Sequence, residues 1–154
     1  MNDTIPRRTT TPCAATVELD DGSHLDVTFW LLPDSHRERG VTPMRVLLEE
    51  DRRFLPIGLS GGGSCLLSRD ALVTVSIEAE GAGAEPAAAE GAALDLVTLH
   101  LVSGAEVSGV LTTTALEGHG RMSDVFNLAG RFVPVGVGSK LVFVATSRIA
   151  RVSF

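Results

Sequence analysis

The chain has 154 residues and a net charge of −6, with 44% apolar, 21% charged and 5% aromatic residues. This length suits one ordinary domain or two very small ones, and the apolar fraction is too high for a disordered chain. No run reaches the ~18 apolar residues of a membrane-spanning helix, and the acidic balance argues against a dedicated polyanion binder.

The first predicted unit covers residues 13–77, behind a flexible N-terminal tail at residues 1–12. Alternation of apolar and polar residues predicts strands, Asp21-Gly22 is typical of a hairpin turn, and Thr42-Pro43 indicates the start of a short helix. A polar loop is expected at Pro33–Gly40. The predicted elements, in chain order, are strands Ala15–Asp20 and Leu25–Leu31, helix Met44–Glu50, and strands Phe54–Leu59, Cys65–Ser68 and Leu72–Ile77.

An acidic segment of alanine, glycine and glutamate follows at residues 78–93, with four glutamates and no basic residue. It has no side chain that could anchor a core, so we expect a linker or long loop. A short helix across Pro86–Glu90 is the alternative, although so short a helix is marginal in isolation.

The second predicted unit covers residues 94–154 and follows the same plan. A polar loop is expected at Thr112–Gly120, and Ser123-Asp124 is expected to cap a helix. The main elements are strands Leu96–Val102 and Val107–Leu111, helix Val125–Leu128, and strands Lys140–Ala145 and Ile149–Phe154.

The two units align with each other in three blocks that keep their order. Val17–Leu25 aligns with Leu99–Val107 at a spacing of 82, and Met44–Gly58 aligns with Met122–Gly136 at a spacing of 78. Leu72, Val75 and Ile77 then align with Ile149, Val152 and Phe154 at a spacing of 77. Chance does not easily produce all three blocks, so we interpret the chain as an internal duplication.

The expected fold is mainly β: two tandem five-stranded small β-barrels, each with one short helix, joined by the acidic linker. Closure into a barrel buries alternate residues and removes most sheet edges. A single sandwich formed by both units is the structural alternative. The expected first core is Val17, Leu19, Leu25, Phe29, Leu47, Phe54, Ile57, Leu66, Leu72 and Val75. The expected second core is Leu99, Leu101, Val107, Leu111, Val125, Phe132, Val135, Phe143, Ile149 and Val152.

The strand order around Leu99–Leu101, Gly109–Leu111 and Leu141–Phe154 resembles the Sm-like family of small, SH3-like β-barrels. That resemblance implies RNA binding through an Asp-x-aromatic-x-Asn loop and an Arg-Gly pair. On this chain the motif residues would be Asp124, Asn127 and Arg148, and the basic residues Arg121 and Lys140 of the second unit are further candidate RNA contacts. Asp124–Asn127 is one residue shorter than the family loop, and Ile149 stands in place of the glycine, so RNA binding is the alternative function.

The helix motif Arg121–Asn127 also resembles an uncharacterised bacterial β-domain family of unknown function. This second resemblance implies a bacterial source and no known activity. The use of twelve arginines against one lysine agrees with a GC-rich bacterial genome.

No catalytic, cofactor or metal site is predicted. Gly58–Gly62 matches the G-x-S-x-G pattern of serine hydrolases, but glycines follow it rather than a helix, so we interpret it as a hairpin turn. The four histidines have no metal-ligand spacing. We therefore expect a protein that is not an enzyme and has no evident small-molecule substrate.

Three residues are the predicted partner contacts. Trp30 is next to Phe29 on a strand, so one of the two must point away from the core. Arg53 and Arg131 immediately precede Phe54 and Phe132, which align with each other in the duplication. A guanidinium at these positions could bind a partner's carboxylate or cap the preceding helix. The leading hypothesis is a non-catalytic interaction or assembly module that binds protein or itself.

The cysteines and the N-terminus indicate a cytoplasmic location. Cys13 and Cys65 are 52 residues apart and have no CxxC partner, which is typical of a reducing compartment, although a single disulfide remains open. The first eight residues lack the apolar segment of a secretory signal.

Overall fold

The computed structural model describes residues 10–32, 43–79, 94–112 and 122–154. These residues form ten strands and two short α-helices, so the mainly β class is confirmed. The first half contains β1 (Thr11–Leu19), β2 (His24–Leu31), α1 (Pro43–Glu49), β3 (Phe54–Leu59), β4 (Ser64–Ser68) and β5 (Leu72–Glu78). The second half contains β6 (Leu94–Leu101), β7 (Glu106–Thr112), α2 (Met122–Leu128), β8 (Phe132–Val137), β9 (Lys140–Ala145) and β10 (Ile149–Ser153).

Local sequence explains most element boundaries. Gly22 and Gly104 adopt φ of +87° and +92° in the β1–β2 and β6–β7 turns, a conformation that glycine adopts without steric cost. Ser60 lies in the turn between antiparallel β3 and β4, as the hairpin interpretation predicts. Helix α2 begins at Met122 rather than after Asp124, so the predicted cap was wrong and Asp124 lies within the first turn.

Several predicted segments lie outside the described residues: residues 33–40 and 113–120 of the polar loops, residues 80–93 of the linker, Thr42 and Arg121. Thr112, the predicted first residue of the second loop, is the last residue of β7. Strand β1 begins at Thr11, two residues inside the predicted N-terminal tail. The division of the chain at the linker stays a prediction.

All ten strands belong to one sheet, in the order β10-β6-β7-β8-β9-β5-β1-β2-β3-β4. Each half contributes five adjacent strands, and the halves meet where β5 pairs with β9. The sheet ends at β4 on one side and at β10 on the other.

The two halves use the same strand register. Val17 pairs with Leu25 and Val75, and Leu99 pairs with Val107 and Val152, which are the residues expected from spacings of 82 and 77. The bulge between β1 and β5 recurs between β10 and β6 at the equivalent position. The backbone N–H of Arg69 donates to the Arg53 carbonyl at 2.9 Å, and that of Thr146 donates to the Arg131 carbonyl at 2.9 Å.

The buried apolar residues form two clusters, one for each half. The first cluster contains first-half residues together with Phe132, Leu141, Phe143 and Ala145. The second cluster contains second-half residues together with Val73. Each half therefore has its own core, and side chains on the paired strands β5 and β9 also pack on the neighbouring core.

The predicted core lists were wrong at four positions. Phe54 and Leu66, expected in the first core, are 51% and 68% exposed. Phe132 and Phe143, expected in the second core, are buried in the first. The physical reason is that β9 pairs with β5 of the first half, which brings the β8–β9 hairpin against the first core. The β3–β4 hairpin lies at the end of the sheet.

Candidate interaction surface

The contact between the halves is a continuous strand pairing, here called the seam. Five residue pairs join β5 to β9, from Thr74↔Val144 to Glu78↔Lys140. Alternating residues of β9 point to opposite faces, so Phe143 packs in the first core and Val142 packs in the second. The seam therefore combines main-chain hydrogen bonds with apolar burial on both faces.

The carboxylate of Glu49, the last residue of α1, binds across the seam. Its two oxygens accept hydrogen bonds from the backbone N–H groups of Arg131, at 2.9 Å, and Phe132, at 3.1 Å. A Cβ at Gly130 would overlap the Glu49 carboxylate, so glycine at this position allows the close approach. Charge-assisted hydrogen bonds of this kind are stronger than neutral ones, so Glu49 holds the start of β8 against the first half.

Two arginines add ionic contacts at the same seam. Arg131 Nη2 lies 3.2 Å from Asp51 Oδ1, and Arg148 Nη2 lies 3.3 Å from Asp20 Oδ2 and 3.2 Å from the Asp70 carbonyl oxygen. In both cases the arginine belongs to the second half and its partner to the first. These pairs are partly exposed, so they orient the halves more than they stabilise them.

The first half presents an uncovered apolar face at the end of the sheet. Phe54, Pro56 and Leu66 lie on the outward side of β3 and β4, opposite the buried Leu55, Ile57 and Leu67. Trp30 lies on the neighbouring β2, and its indole ring contacts Gly58. We call Trp30, Phe54, Pro56 and Leu66 the outer face.

The equivalent face of the second half is covered. Phe132 and Phe143 stand at the positions of Phe54 and Leu66, and they are 2% and 0% exposed. What covers them is the first half, through its β5 edge and first core. The same position in the fold is thus buried in one half and open in the other.

The opposite end of the sheet is also incompletely covered. Met44, Leu47 and Leu48 of α1 are buried, whereas their counterparts Met122, Val125 and Phe126 of α2 are only half-buried. Val75 on β5 is buried, and its counterpart Val152 on β10 is half-buried. In the described part of the chain, β10 pairs only with β6.

The three predicted partner contacts lie in different surroundings. The prediction that Phe29 and Trp30 point to opposite faces is confirmed, because Phe29 is buried and Trp30 is 39% exposed on the outer face. Arg53 is exposed beside Phe54. The described side-chain contact of Arg131 is with Asp51 in the first half and not with the carbonyls of α2.

The described residues named for RNA binding lie on different elements. Asp124 and Asn127 lie on α2, and Lys140 begins β9, opposite Glu78. Arg148 binds Asp20 and the Asp70 carbonyl oxygen. Arg121 lies outside the described residues.

Sequence reasoning missed two residues that the structure makes prominent. Glu49 lies at the end of a short helix, and the backbone N–H that donates to its carboxylate belongs to Arg131, 82 residues away. Arg69 is buried beside the seam. The alignment contained a signal for both, because their counterparts at spacings of 78 and 77 are the uncharged Asn127 and Thr146.

The described residues carry no metal cluster and no membrane helix. Within residues 10–32, 43–79, 94–112 and 122–154, no three His, Cys, Asp or Glu side chains are placed to hold a metal ion. In the same ranges, neither helix is long and apolar enough to cross a membrane.

Comparison with known proteins returned no match. No protein-family model, no curated protein and no solved structure matches this chain. The function is therefore argued from the geometry of the seam and of the two ends of the sheet.

Proposed function

We propose that this protein is a non-catalytic assembly module whose chains join head to tail, with β10 of one chain paired to β4 of the next. The contrast between the outer face and its covered counterpart carries this proposal. Phe54 and Leu66 are half or more exposed where Phe132 and Phe143 are buried. Among the described residues, both surfaces of the seam are present twice and are joined once.

The seam within the chain indicates that a second copy of the chain would cover the outer face. The first half already covers the β8–β9 hairpin of the second half through the edge of β5. The second half ends in β10, which is equivalent to β5, and the first half ends in β4, which is equivalent to β9. The end of one chain therefore has the strand pattern that the start of the next requires.

The in-chain register predicts the register between chains. Applying the spacing of 77 to the β5–β9 pairs places Val152 opposite Leu66 and Ser153 opposite Cys65 of the next chain. Phe54 and Leu66 would then pack near Val152 and Phe126, which are half-buried in a single chain. Covering each exposed side chain would contribute roughly 1 kcal/mol, in addition to the hydrogen bonds of the strand edges.

The contact between chains is weaker than the seam within a chain. Asn127 replaces Glu49 at the equivalent position, and Arg52 replaces Gly130, whose lack of a side chain admits the carboxylate. Ser64 and Ser68 on β4 also replace Leu141 and Ala145 on β9. Assembly should consequently depend on protein concentration, while the two halves of one chain remain joined.

A contact that joins unlike surfaces repeats without limit unless the rotation between copies closes a ring. Closed rings or open filaments are both products of this contact. We also propose that the five strands of each half curve around their own core as a small Sm-like barrel that stays open between its two end strands, so that β4 and β10 keep free edges. The proposed location is a reducing compartment such as the cytoplasm, and the two cysteines, which form no disulfide, support it.

Light scattering coupled to size exclusion, over a range of protein concentrations, tests the proposal. The wild-type chain should increase in mass with concentration, and Leu66→Asp should remain monomeric. Leu96→Asp is the matched control, because Leu96 is a similarly exposed strand residue of β6, away from β4 and the β10 pairing positions. A wild-type chain that stays monomeric at every concentration would contradict the proposal.

A further inference from the structure

A cavity of about 330 Å³ lies at the seam, between two short 3-10 turns. These turns, Arg69–Ala71 and Thr146–Arg148, lead into β5 and β10. The first half lines it with Arg69, Asp70 and Leu72, and the second half lines it mainly with Arg131, Thr146 and Ser147. Two arginines, two hydroxyl-bearing residues and one aspartate therefore line the same cavity.

Arg69 is a buried cation with two unsatisfied nitrogens. The residue is 6% exposed, and its Nε and Nη1 have no hydrogen-bond acceptor among the described residues. Among the described residues, no carboxylate oxygen lies within 4.0 Å of an Arg69 nitrogen. An uncompensated buried charge costs several kcal/mol, so such groups are normally paired.

The fold does not require an arginine at this position. The equivalent 3-10 turn of the second half has Thr146 in place of Arg69, and its backbone makes the same hydrogen bond to the preceding strand. The buried charge of Arg69 is therefore not explained by the geometry of the turn.

Arg131 supplies a second cation on the opposite wall. Its guanidinium is half-exposed, and its described ion-pair partner, Asp51, is fully exposed to solvent. Screening by water makes such a pair weak, so Arg131 can turn toward the cavity at little cost. Asp70 also lines the cavity, and it is exposed. Because a carboxylate repels anions, a ligand would bind on the side of the cavity where the two arginines lie.

We propose that this cavity binds a small oxyanion, of phosphate or carboxylate chemistry, between Arg69 and Arg131. A guanidinium presents planar N–H donors that match the oxygens of such anions. The anion would neutralise Arg69 and connect the two halves at the seam. This site lies within one chain, so it is independent of assembly between chains.

Calorimetric titration and thermal unfolding test this site, with sodium phosphate and sodium malonate as probes and chloride at equal ionic strength as the reference. The wild-type chain should bind at least one probe saturably and unfold at a higher temperature in its presence. Phosphate alone would indicate a tetrahedral ligand, and malonate alone would indicate a carboxylate.

Three variants separate a built site from general salt effects, since phosphate also stabilises proteins by exclusion from their surface. Arg69→Met should abolish saturable binding and, without the probe, should unfold at a temperature no lower than wild type. Arg131→Met should weaken binding about tenfold, as expected for loss of one charge-assisted contact. Arg52→Met, which removes an exposed arginine paired with Glu50, should bind like wild type.

The proposal is overturned if neither probe binds saturably, or if Arg69→Met binds as well as wild type. If Arg69→Met does not fold, Arg69→Lys decides the question. Lysine keeps the charge but lacks the planar donors, so it should fold and bind about tenfold more weakly. Unchanged binding by Arg69→Lys and Arg131→Met together would also overturn it.

Discussion

The hairpins β3–β4 and β8–β9 have the same register and differ in what covers their outward face. Phe132 and Phe143 are buried by the first half, whereas Phe54 and Leu66 face solvent. The residues around them differ accordingly, because Leu141 and Ala145 on the covered hairpin correspond to Ser64 and Ser68 on the open one. The open hairpin keeps two apolar anchors within a more polar surface, as expected for a contact that forms and dissociates.

The seam has charged contacts whose equivalents are missing at the open end of the second half. Glu49 accepts two backbone hydrogen bonds across the seam, and Asp51 and Asp20 bind arginines there. Their second-half counterparts are Asn127, Ala129 and Val102, and none of these carries a charge. The two halves have the same backbone plan, and the charged side chains distinguish the seam within the chain from the proposed contact between chains.

The largest expected effect comes from truncating the same position in the two hairpins. Phe143→Ala should lower the free energy of unfolding by about 3–5 kcal/mol, because it leaves a cavity in the first core. Leu66→Ala should change it by less than about 0.5 kcal/mol in dilute protein, because that side chain is exposed. Urea unfolding at low protein concentration measures both, and equal losses would contradict the assigned difference in burial.

Removing the carboxylate that binds across the seam should have the next largest effect. Glu49→Ala leaves two backbone N–H groups without an acceptor and should cost about 1.5–3 kcal/mol of stability. Asn127→Ala, at the equivalent position on α2, should cost less than about 0.5 kcal/mol. If the two substitutions have the same effect in urea unfolding, Glu49 does not have the assigned role.

Transferring the carboxylate to the open end should strengthen assembly. Asn127→Glu combined with Arg52→Gly recreates the Glu49–Gly130 arrangement between chains and should tighten association about tenfold. Asn127→Glu alone should have a smaller effect, because Arg52 occupies the space that Gly130 leaves open. Sedimentation over a concentration series compares the variants, and no gain from the double substitution would argue against the predicted register.

The smallest expected effect is a pH dependence that arises at the β1–β2 turn. Hydrogen bonds from the Ser23 hydroxyl and backbone N–H lower the pKa of Asp21 below its ordinary value. Because the folded state has the lower pKa, this contribution to stability is present above the unfolded carboxyl pKa and is lost as the pH falls through the folded value. NMR titration should show the Asp21 pKa rising in Ser23→Ala. The second half has Ser103 at the equivalent position, so its turn should not titrate in this range.

Much of the fold could be predicted from local pattern, and the arrangement of the halves could not. Alternation and turn residues such as Gly22 and Gly104 act over a few residues, so the strands and hairpins were accessible from sequence. The β5–β9 pairing joins residues more than 60 positions apart. Nothing in the pattern near Phe54 or Phe132 shows which of the two would be covered, and this is why both were assigned to cores of their own halves.

The candidate surface was only partly predictable for the same reason. Trp30 could be placed on the outward side of β2 by its adjacency to Phe29, which is a local argument. Glu49 and Arg69 acquire their surroundings from the other half of the chain. Their partners could not be identified before the order of strands was known.

Disulfide formation between chains tests head-to-tail assembly most directly. The predicted register places Ser153 of one chain opposite the native Cys65 of the next, and cross-strand neighbours lie within disulfide range. Ser153→Cys should therefore give covalent oligomers on mild oxidation, and Ser153→Cys combined with Cys65→Ser should not. Ser108→Cys, on the interior strand β7, is the control expected to remain monomeric under the same conditions. If Ser153→Cys gives no more covalent oligomer than Ser108→Cys at concentrations where the chain associates, the pairing of β10 with β4 is contradicted.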